Sequence, residues 1–514
     1  MTVRSPFRRL LIANRGEIAI RVIRACRDLG IESVAVYSDA DAAALHVSLA
    51  DMAERIGPAP ASDSYLSIDA ILAAARRSGA EAVHPGYGFL SEQAAFASAV
   101  EDAGLVFVGP PAATLAALGD KLAARRTAAA AGVPIVPGLT VELQMGGAGP
   151  GAEDLAKVGF PALLKAAAGG GGRGMRRVDR AEEIGPALAL ARHEASAAFG
   201  DGTIYLERLL SPARHIEVQL LGDRHGQLSV LGERECSIQR RHQKLVEETP
   251  SPAVTPTIRE ALFASARRIA GAVEFHNAAT VEFLLDDAGR HYFLEMNTRL
   301  QVEHGVTELV MGLDLVGWQI RVAAGERLPE ELLDVSPRGH AIEVRLYAED
   351  PHDQFRPSAG RISAWQMPSG PGVRVDAGVE GDTSLPPEYD PLLAKLMVHG
   401  ADRPAAIARL RRALDETVIG GVQTDLSFHR WLVDQPDFVR GAYHTGLIAE
   451  GWADGPPVGA DDAAIAALVA AGARSRTTSD TNAGNGHRDA LEAPERRGWA
   501  VEGRRFAIKA RRPR

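Results

Sequence analysis

The stretch Glu295-Met296-Asn297-Thr298-Arg299-Leu300-Gln301-Val302-Glu303 sets carboxylates, amides and a guanidinium directly behind the apolar run Tyr292-Phe293-Leu294. It reads as a strand that delivers a reactive centre. Hydrophobic burial explains the run but not the polar groups, because a buried carboxylate is costly unless a metal or a cation compensates it. Upstream, Thr280-Val281-Glu282-Phe283-Leu284-Leu285 forms a second apolar strand carrying one acid, with Asp286-Asp287-Ala288-Gly289 as the turn between them. Such a hairpin brings Glu282 beside Glu295. Two adjacent carboxylates repel, and an oxygen-ligated Mg²⁺ that also engages substrate phosphates relieves the repulsion. A surface hairpin with solvated acids fits the same residues.

Phe160-Pro161-Ala162-Leu163-Leu164-Lys165 is a short apolar strand ending in lysine, followed by Ala166-Ala167-Ala168-Gly169-Gly170-Gly171-Gly172-Arg173-Gly174. Consecutive glycines add no packing and carry a high entropic cost, so they point to positive φ or to close approach of a ligand. Backbone amides in such a loop cradle phosphate oxygens. A flexible linker has the same composition, but Lys165 before the loop and the strand-like Met175-Arg176-Arg177-Val178 after it favour a loop folding over nucleotide. It is neither a P-loop nor a Gly-x-Gly-x-x-Gly turn opening a helix.

Glycine loop, acid pair and Glu-Met-Asn-Thr-Arg segment, in this order, resemble the ATP-grasp enzymes and within them the biotin carboxylases. Further matches are Ala13-Asn14-Arg15-Gly16-Glu17-Ile18-Ala19, His84-Pro85-Gly86-Tyr87-Gly88-Phe89-Leu90-Ser91-Glu92, Gly119-Asp120-Lys121, the run from Glu233 to Lys244, and Glu343-Val344-Arg345-Leu346-Tyr347-Ala348-Glu349-Asp350. Together they extend from about residue 8 to 452. The resemblance implies an α/β protein with α+β character toward its C-terminus, built as an ATP-grasp fold. Its parts are an N-terminal Rossmann-like open parallel sheet over 1–110, a helical linker over 111–135 and a mobile glycine-loop lid over 136–209. A C-terminal ATP-grasp and biotin carboxylase region, rich in β-structure, occupies 210–452. Strand and helix alternating from Arg9 to Val108 independently predict the open parallel sheet. Helices are expected at Gly16–Leu29, Ser67–Ser78, Glu92–Ala103, Asp120–Ala131 and Arg403–Glu416. His215-Ile216-Glu217-Val218-Gln219-Leu220-Leu221 alternates as a half-buried strand does.

The resemblance also implies roles. ATP contacts map onto Lys121, Lys165, the loop Gly169, Gly170, Gly171, Gly172 and Gly174, the hinge Glu207-Arg208-Leu209-Leu210, and His215, Gln239 and His242. Mg²⁺, or Mn²⁺, maps onto Glu282, Glu295 and Asn297. Bicarbonate and biotin map onto Lys244, Arg299, Gln301, Val302, Glu303, Arg345 and Tyr87, with Glu92 in the same motif as Tyr87. Glu303 is the implied general base, Arg299 and Lys244 are charge clamps, and Arg345 stabilises the biotin enolate. The reaction implied is ATP-dependent carboxylation of biotin through carboxyphosphate, the first half-reaction of an acyl-CoA carboxylase such as an acetyl- or propionyl-CoA carboxylase. Pyruvate carboxylase begins with the same step, and other ATP-grasp ligases share the acid pair.

Two departures stand out. Gly305 occupies a position where the family usually has proline, and Ala168 stands where some members have glycine or serine. None of the eight methionines adjoins a lysine, so the biotin carrier and the carboxyltransferase are expected on other chains or on a segment absent here. A homodimer or larger assembly follows from the resemblance alone.

Composition sets the outer limits. With 514 residues, 46% hydrophobic and 24% charged, the chain is long enough for several globular domains. Two cysteines, Cys26 and Cys236, imply no disulfide framework and a reducing, cytoplasmic setting. A net charge of -9 disfavours a general nucleic-acid binder. No apolar run of membrane-spanning length occurs. Residues 146–151, Gly-Gly-Ala-Gly-Pro-Gly, read as an exposed loop, and 453–514 as a linker with a basic tail, or as the start of a partner-docking region.

Overall fold

The computed structural model describes residues 7–141, 152–167, 175–200 and 202–452. The glycine loop, the 146–151 loop and the tail from 453 lie outside the described residues.

Five short strands, β1 (Arg9–Ile12), β2 (Glu32–Ser38), β3 (Met52–Gly57), β4 (Ala82–His84) and β5 (Val106–Phe107), form a parallel sheet in the order β3-β2-β1-β4-β5. Helices α1 (Gly16–Leu29), α2 (Ile68–Ser78) and α3 (Ala94–Asp102) make crossovers. Helix α1 stops where the apolar stripe ends, at Gly30 with φ of 69°, and the turn closes through Gly30 N–H to Arg27 O and Ile31 N–H to Cys26 O. The strand order reverses between β1 and β4, which leaves a crevice beyond their carboxyl ends. Asn14 fastens that crevice by donating from Nδ2 to the carbonyls of Pro85 (2.8 Å) and Tyr87 (2.7 Å).

Helix α4 (Lys121–Ala130) is capped by the Asp120 side chain and leads to the second sheet. There β6 (Gly138–Val141), β7 (Ala162–Ala166), β8 (Arg176–Val178) and β9 (Ile204–Arg208) pair antiparallel in the order β6-β9-β7-β8. Strand β7 alternates: Ala162, Leu164 and Ala166 bury against helix α5 (Ile184–Phe199), which leaves Leu163 and Lys165 on the opposite face.

The third sheet is the largest. Strands β10 (Ala213–Gly222), β11 (Leu228–Arg240), β12 (Gln243–Thr249), β13 (Asn277–Asp286), β14 (His291–Asn297), β15 (His340–Tyr347), β16 (Val373–Ala377) and β17 (Leu392–Gly400) run antiparallel in the order β14-β13-β10-β11-β12-β15-β17-β16. Helix α6 (Pro256–Gly271) buries Leu262, Ala266 and Ile269 against β10 and β13. Helix α7 (His304–Met311) lies across β11, β12, β15 and β17, and α8 (Arg403–Glu416) packs on β15 and β17.

The five expected helices are present, with ends within two residues of their expected positions. Strand β10 departs from expectation. It is buried on both faces, because Ile216, Val218 and Leu220 meet α6 while His215, Glu217 and Gln219 enter a buried polar cluster. Its polar alternates are not solvated; they belong to the site. Among the described residues no helix is long and apolar enough to cross a membrane.

Candidate active site

Strands β13 and β14 form the expected hairpin, and its register sets Glu282 directly opposite Glu295 and Thr280 opposite Asn297. The row continues across the sheet: Glu217 on β10 faces Glu282, and Arg234 on β11 faces Glu217. Directly opposite residues share a face of the sheet. Four ionisable side chains therefore stand in one transverse line beneath a cavity of about 760 Å³.

The line is held by cations. Lys244 Nζ donates to Glu217 (2.5 Å), Glu303 (2.7 Å) and Glu282 (2.9 Å). Burial alone would lower the ammonium pKa, but the three carboxylates reverse this and raise it well above the usual lysine range. Arg234, fully buried, pairs with Glu217 and donates to Gln219, Thr307 and Thr280. Burial pushes the Glu282 carboxyl up, yet Lys244 and His215 outweigh it and hold Glu282 ionised; His215 Nε2 is 2.7 Å from Glu282 Oε2. Two clusters of potential metal-binding atoms, His215/Glu217/Glu282 and Glu217/Cys236/Glu303, lie beside the Lys244 ammonium, which bonds Glu217, Glu282 and Glu303.

Glu295 differs. Among the described residues its carboxylate makes no hydrogen bond or ion pair, and burial reinforced by Glu282 raises its pKa. An acid in that state, beside an ionised carboxylate and the Asn297 amide, is a donor set that suits a hard divalent cation. Asn297 Nδ2 and Gln301 Nε2 donate to Glu282 Oε1 at 2.8 and 3.1 Å. Arg299 ties these residues to the N-terminal sheet, donating to Glu92 (3.0 Å), Asn297 (2.9 Å) and Gln301 (2.9 Å).

Glu303 is fully buried at the start of α7. Burial would raise its pKa, but Lys244 and Arg345 hold it well below the usual carboxylate range. Arg345 bridges two acids, reaching Glu303 Oε2 at 3.0 Å and Glu247 Oε1 at 2.7 Å. Tyr87 donates to Glu17, and Tyr87, Val302 and Arg345 all line the cavity.

Toward the second sheet, Lys121, Lys165, His242, Leu209 and Leu210 line the same cavity. Lys165 Nζ is 3.2 Å from Glu207, which also pairs with Arg125 at 3.4 Å. Gln239 Nε2 lies 3.2 Å from His215 Nδ1. In the hinge the side chains of Glu207 and Arg208 turn away from the cavity, Glu207 to Lys165 and Arg125 and the Arg208 guanidinium to the carbonyl of Val158 (2.5 Å), which leaves main-chain groups as the hinge's expected contact with nucleotide. The basic run is also divided. Arg240 and Arg241 bind Gln354, with Arg240 stacked over Phe355, while His242 and Lys244 face the cavity. Gly169, Gly170, Gly171, Gly172 and Gly174 lie outside the described residues.

Sequence reasoning passed over Glu17, Glu217, Arg234, Glu247, Glu343 and Lys395, all buried around the site. Glu217, Glu343 and Lys395 are polar positions flanked by apolar residues on their strands, Glu17 lies on α1, and Arg234 and Glu247 stand next to other acids, so for Glu17, Arg234 and Glu247 the local pattern carried no signal of burial.

Family descriptions tile the chain: "Biotin carboxylase, N-terminal domain" matches residues 6–115, "Carbamoyl-phosphate synthase L chain, ATP binding domain" matches 120–331, and "Biotin carboxylase C-terminal domain" matches 343–450. The chain belongs to the biotin carboxylase family. It is 49% identical to biotin carboxylase from a Nostoc species over 86% of this chain and 99% of that one. To a pyruvate carboxylase subunit from Methanothermobacter thermautotrophicus it is 48% identical, over 86% of this chain and 90% of that one. Among solved structures it resembles the Campylobacter jejuni biotin carboxylase-βγ-ATP complex with a TM-score of 0.82 at 42% identity, covering 86% of this chain and 99% of that one. The biotin carboxylase domain dimer of Hydrogenobacter thermophilus 2-oxoglutarate carboxylase, in complex with MgADP and bicarbonate, matches with the same score at 43% identity over 86% and 97%. The protein is an ATP-grasp enzyme, and its membership supports ATP-dependent, biotin carboxylase-type carboxylation.

Proposed function

We propose that this biotin carboxylase carboxylates biotin held on a carrier, on another chain or on a segment beyond this one, with Glu303 as the base that activates bicarbonate. The observation that carries the reading is the Lys244–Glu303–Arg345 arrangement: a fully buried carboxylate kept ionised by two cations, which themselves line the cavity together with Glu282, Glu295 and Asn297. Bicarbonate, clamped by Lys244, Arg299 and Gln301, gives its proton to Glu303 as its oxygen attacks the γ-phosphorus of ATP, the bond to the β-phosphate oxygen breaks and ADP leaves. A low carboxylate pKa weakens the base, and contact geometry compensates: binding of the anion draws Lys244 and Arg345 from Glu303 and raises its proton affinity. Carboxyphosphate then splits to CO₂ and phosphate, phosphate takes the N1′ proton of biotin, Arg345 stabilises the charge on the biotin oxygen, and N1′ attacks the carbon of CO₂ to give carboxybiotin. Mg²⁺ held by Glu282, Glu295 and Asn297 would neutralise phosphate charge during transfer. Lys121, Lys165, the glycine loop, Leu209, Leu210, His215, Gln239 and His242 form the nucleotide end, and Tyr87 borders biotin. Closure of the 136–209 lid excludes water from the acid-labile intermediate.

The second half-reaction belongs to a carboxyltransferase, on another chain or on a segment beyond this one, in our reading one acting on an acyl-CoA. A keto-acid acceptor is the second reading, favoured by the 48% identity to a pyruvate carboxylase subunit. The domain division at 110, 135, 209 and 452, the dimeric assembly and a cytoplasmic setting are part of the same proposal.

Bicarbonate-dependent ATP cleavage with free biotin tests the reaction. Glu303→Gln should abolish it, a loss of about 10²-fold or more, with ATP still binding. Near-normal turnover in that variant overturns the choice of base, and turnover that ignores biotin overturns the choice of acceptor.

A further inference from the structure

Lys395 has no part in the chemistry derived above, yet it is a lysine with no solvent exposure at all. Burying an ammonium is costly unless its donors are used. Its Nζ donates to the Val302 carbonyl at 2.8 Å and lies 3.2 Å from Glu17 Oε1. Glu17 in turn accepts from the Tyr87 hydroxyl, so three parts of the chain meet at one buried carboxylate: helix α1, the loop after β4, and strand β17. Val302 is the residue directly before Glu303.

A second contact lies on the other side of the base. Gly305 is in the first turn of α7, and a Cβ there would lie 2.3 Å from Met397 Sδ. Met397 is two residues beyond Lys395 on β17, so both point to the same face. Opposite them across the ladder stand Arg345, facing Lys395, and Glu343, facing Met397. The departure from proline at position 305 thus has a physical counterpart, because the space that a side chain would take is filled by the Met397 thioether.

We propose that the Lys395–Met397 face of β17, fastened by Glu17, is a clamp that positions Glu303 by gripping its main chain at Val302 and at Gly305. Lys395, Met397 and Glu17 are positioning residues; none of them touches the reacting atoms. The clamp sets where the Glu303 carboxylate can stand between Lys244 and Arg345, and it accounts for the Asn14-Arg15-Gly16-Glu17 motif, whose last residue delivers the counter-charge. The inference rests on Glu303 being the base.

The test is steady-state kinetics of bicarbonate-dependent ATP cleavage by the full chain carrying Lys395→Met and Glu17→Gln together, so that no unpaired buried charge is left behind. A loosened base lowers kcat by about 10- to 100-fold while the KM for ATP stays within about twofold, because the nucleotide contacts lie elsewhere. Turnover within about twofold of wild type overturns the clamp. So does a rise in ATP KM that parallels the loss of kcat, since that marks a general structural role. If the double variant does not fold, Gly305→Ala gives the reading: kcat falls with ATP KM unchanged, and Met397→Ala added to it restores kcat. A neutral Gly305→Ala, or a loss that Met397→Ala does not rescue, overturns the clamp. Glu303→Gln run alongside separates the two levels. If it is inactive and the clamp variants are normal, only the clamp falls; if it is active, both fall.

Discussion

Glu247 and Glu248 are neighbours on β12, fully buried, and point to opposite faces of the same sheet. On one face Glu248 is saturated, accepting from His340 (2.5 Å), from Arg403 (2.7 and 2.9 Å) and from Tyr443. Burial works against its ionisation, yet His340 and Arg403 bring its pKa down to about 2. On the other face Glu247 shares a single guanidinium with Glu303, and one of its oxygens has no hydrogen-bond partner among the described residues. Burial, with Glu303 adding to it, raises its pKa. The same residue type at adjacent positions thus serves two ends. On the α8 face the charge of Glu248 is fully matched and ties β12 to its neighbours, whereas on the cavity face Glu247 is under-compensated, a state that ligands with charges of their own can complete.

The contrast can be broken at either face. The largest effect is expected for Arg345→Met, which should cut biotin-dependent turnover about 10²- to 10³-fold with ATP binding retained; calorimetric titration with nucleotide beside kinetics checks both halves. Glu248→Gln should do the reverse, costing roughly 3 kcal/mol of stability at pH 7 with little change in kcat per folded molecule. The sign follows from a folded pKa below the ordinary carboxylate value. Stability from Glu248 is present above about pH 4.5 and drains away as pH falls through about 2. Wild-type and variant denaturation curves should therefore converge on acidification; a gap that persists to pH 2 would assign the loss to packing. Glu295→Gln should raise the Mg²⁺ needed for half-maximal rate about tenfold without lowering thermal stability, because among the described residues its carboxylate makes no hydrogen bond or ion pair. Magnesium titration and a melting curve test this, and a fall in melting temperature would mean that Glu295 is structural. The smallest effect is expected for Arg412→Ala on α8, whose exposed pair with Glu416 should contribute less than about 0.5 kcal/mol.

How much was legible depended on whether the signal was local. The hairpin carrying Glu282 and Glu295 was readable because apolar runs, one acid each and a turn fall within a short span, and α1 and α8 because capping and periodicity are local. Motif order gave the family. The inner site was not readable on the same grounds. Arg234 sits in Glu233-Arg234-Glu235, which resembles a solvated charge run, and is buried only because Glu217, Gln219, Thr280 and Thr307 converge on it from other elements. Lys395 lies in Leu392-Leu393-Ala394-Lys395-Leu396-Met397, where one lysine among apolar residues looks like the outward side of an edge strand; β17 is instead flanked by β15 and β16. His215, Glu217 and Gln219 alternated as expected, but nothing nearby in sequence reveals that their side of the strand is covered.

The transverse line Glu295–Glu282–Glu217–Arg234 has a mechanical meaning. Adjacent strands are spaced about 4.8 Å apart by their backbone hydrogen bonds, so the sheet is a ruler with one ionisable group at each mark. In the proposed reaction, any spacing between groups on different strands is counted in those marks. Side-chain substitution can erase a mark but cannot move it.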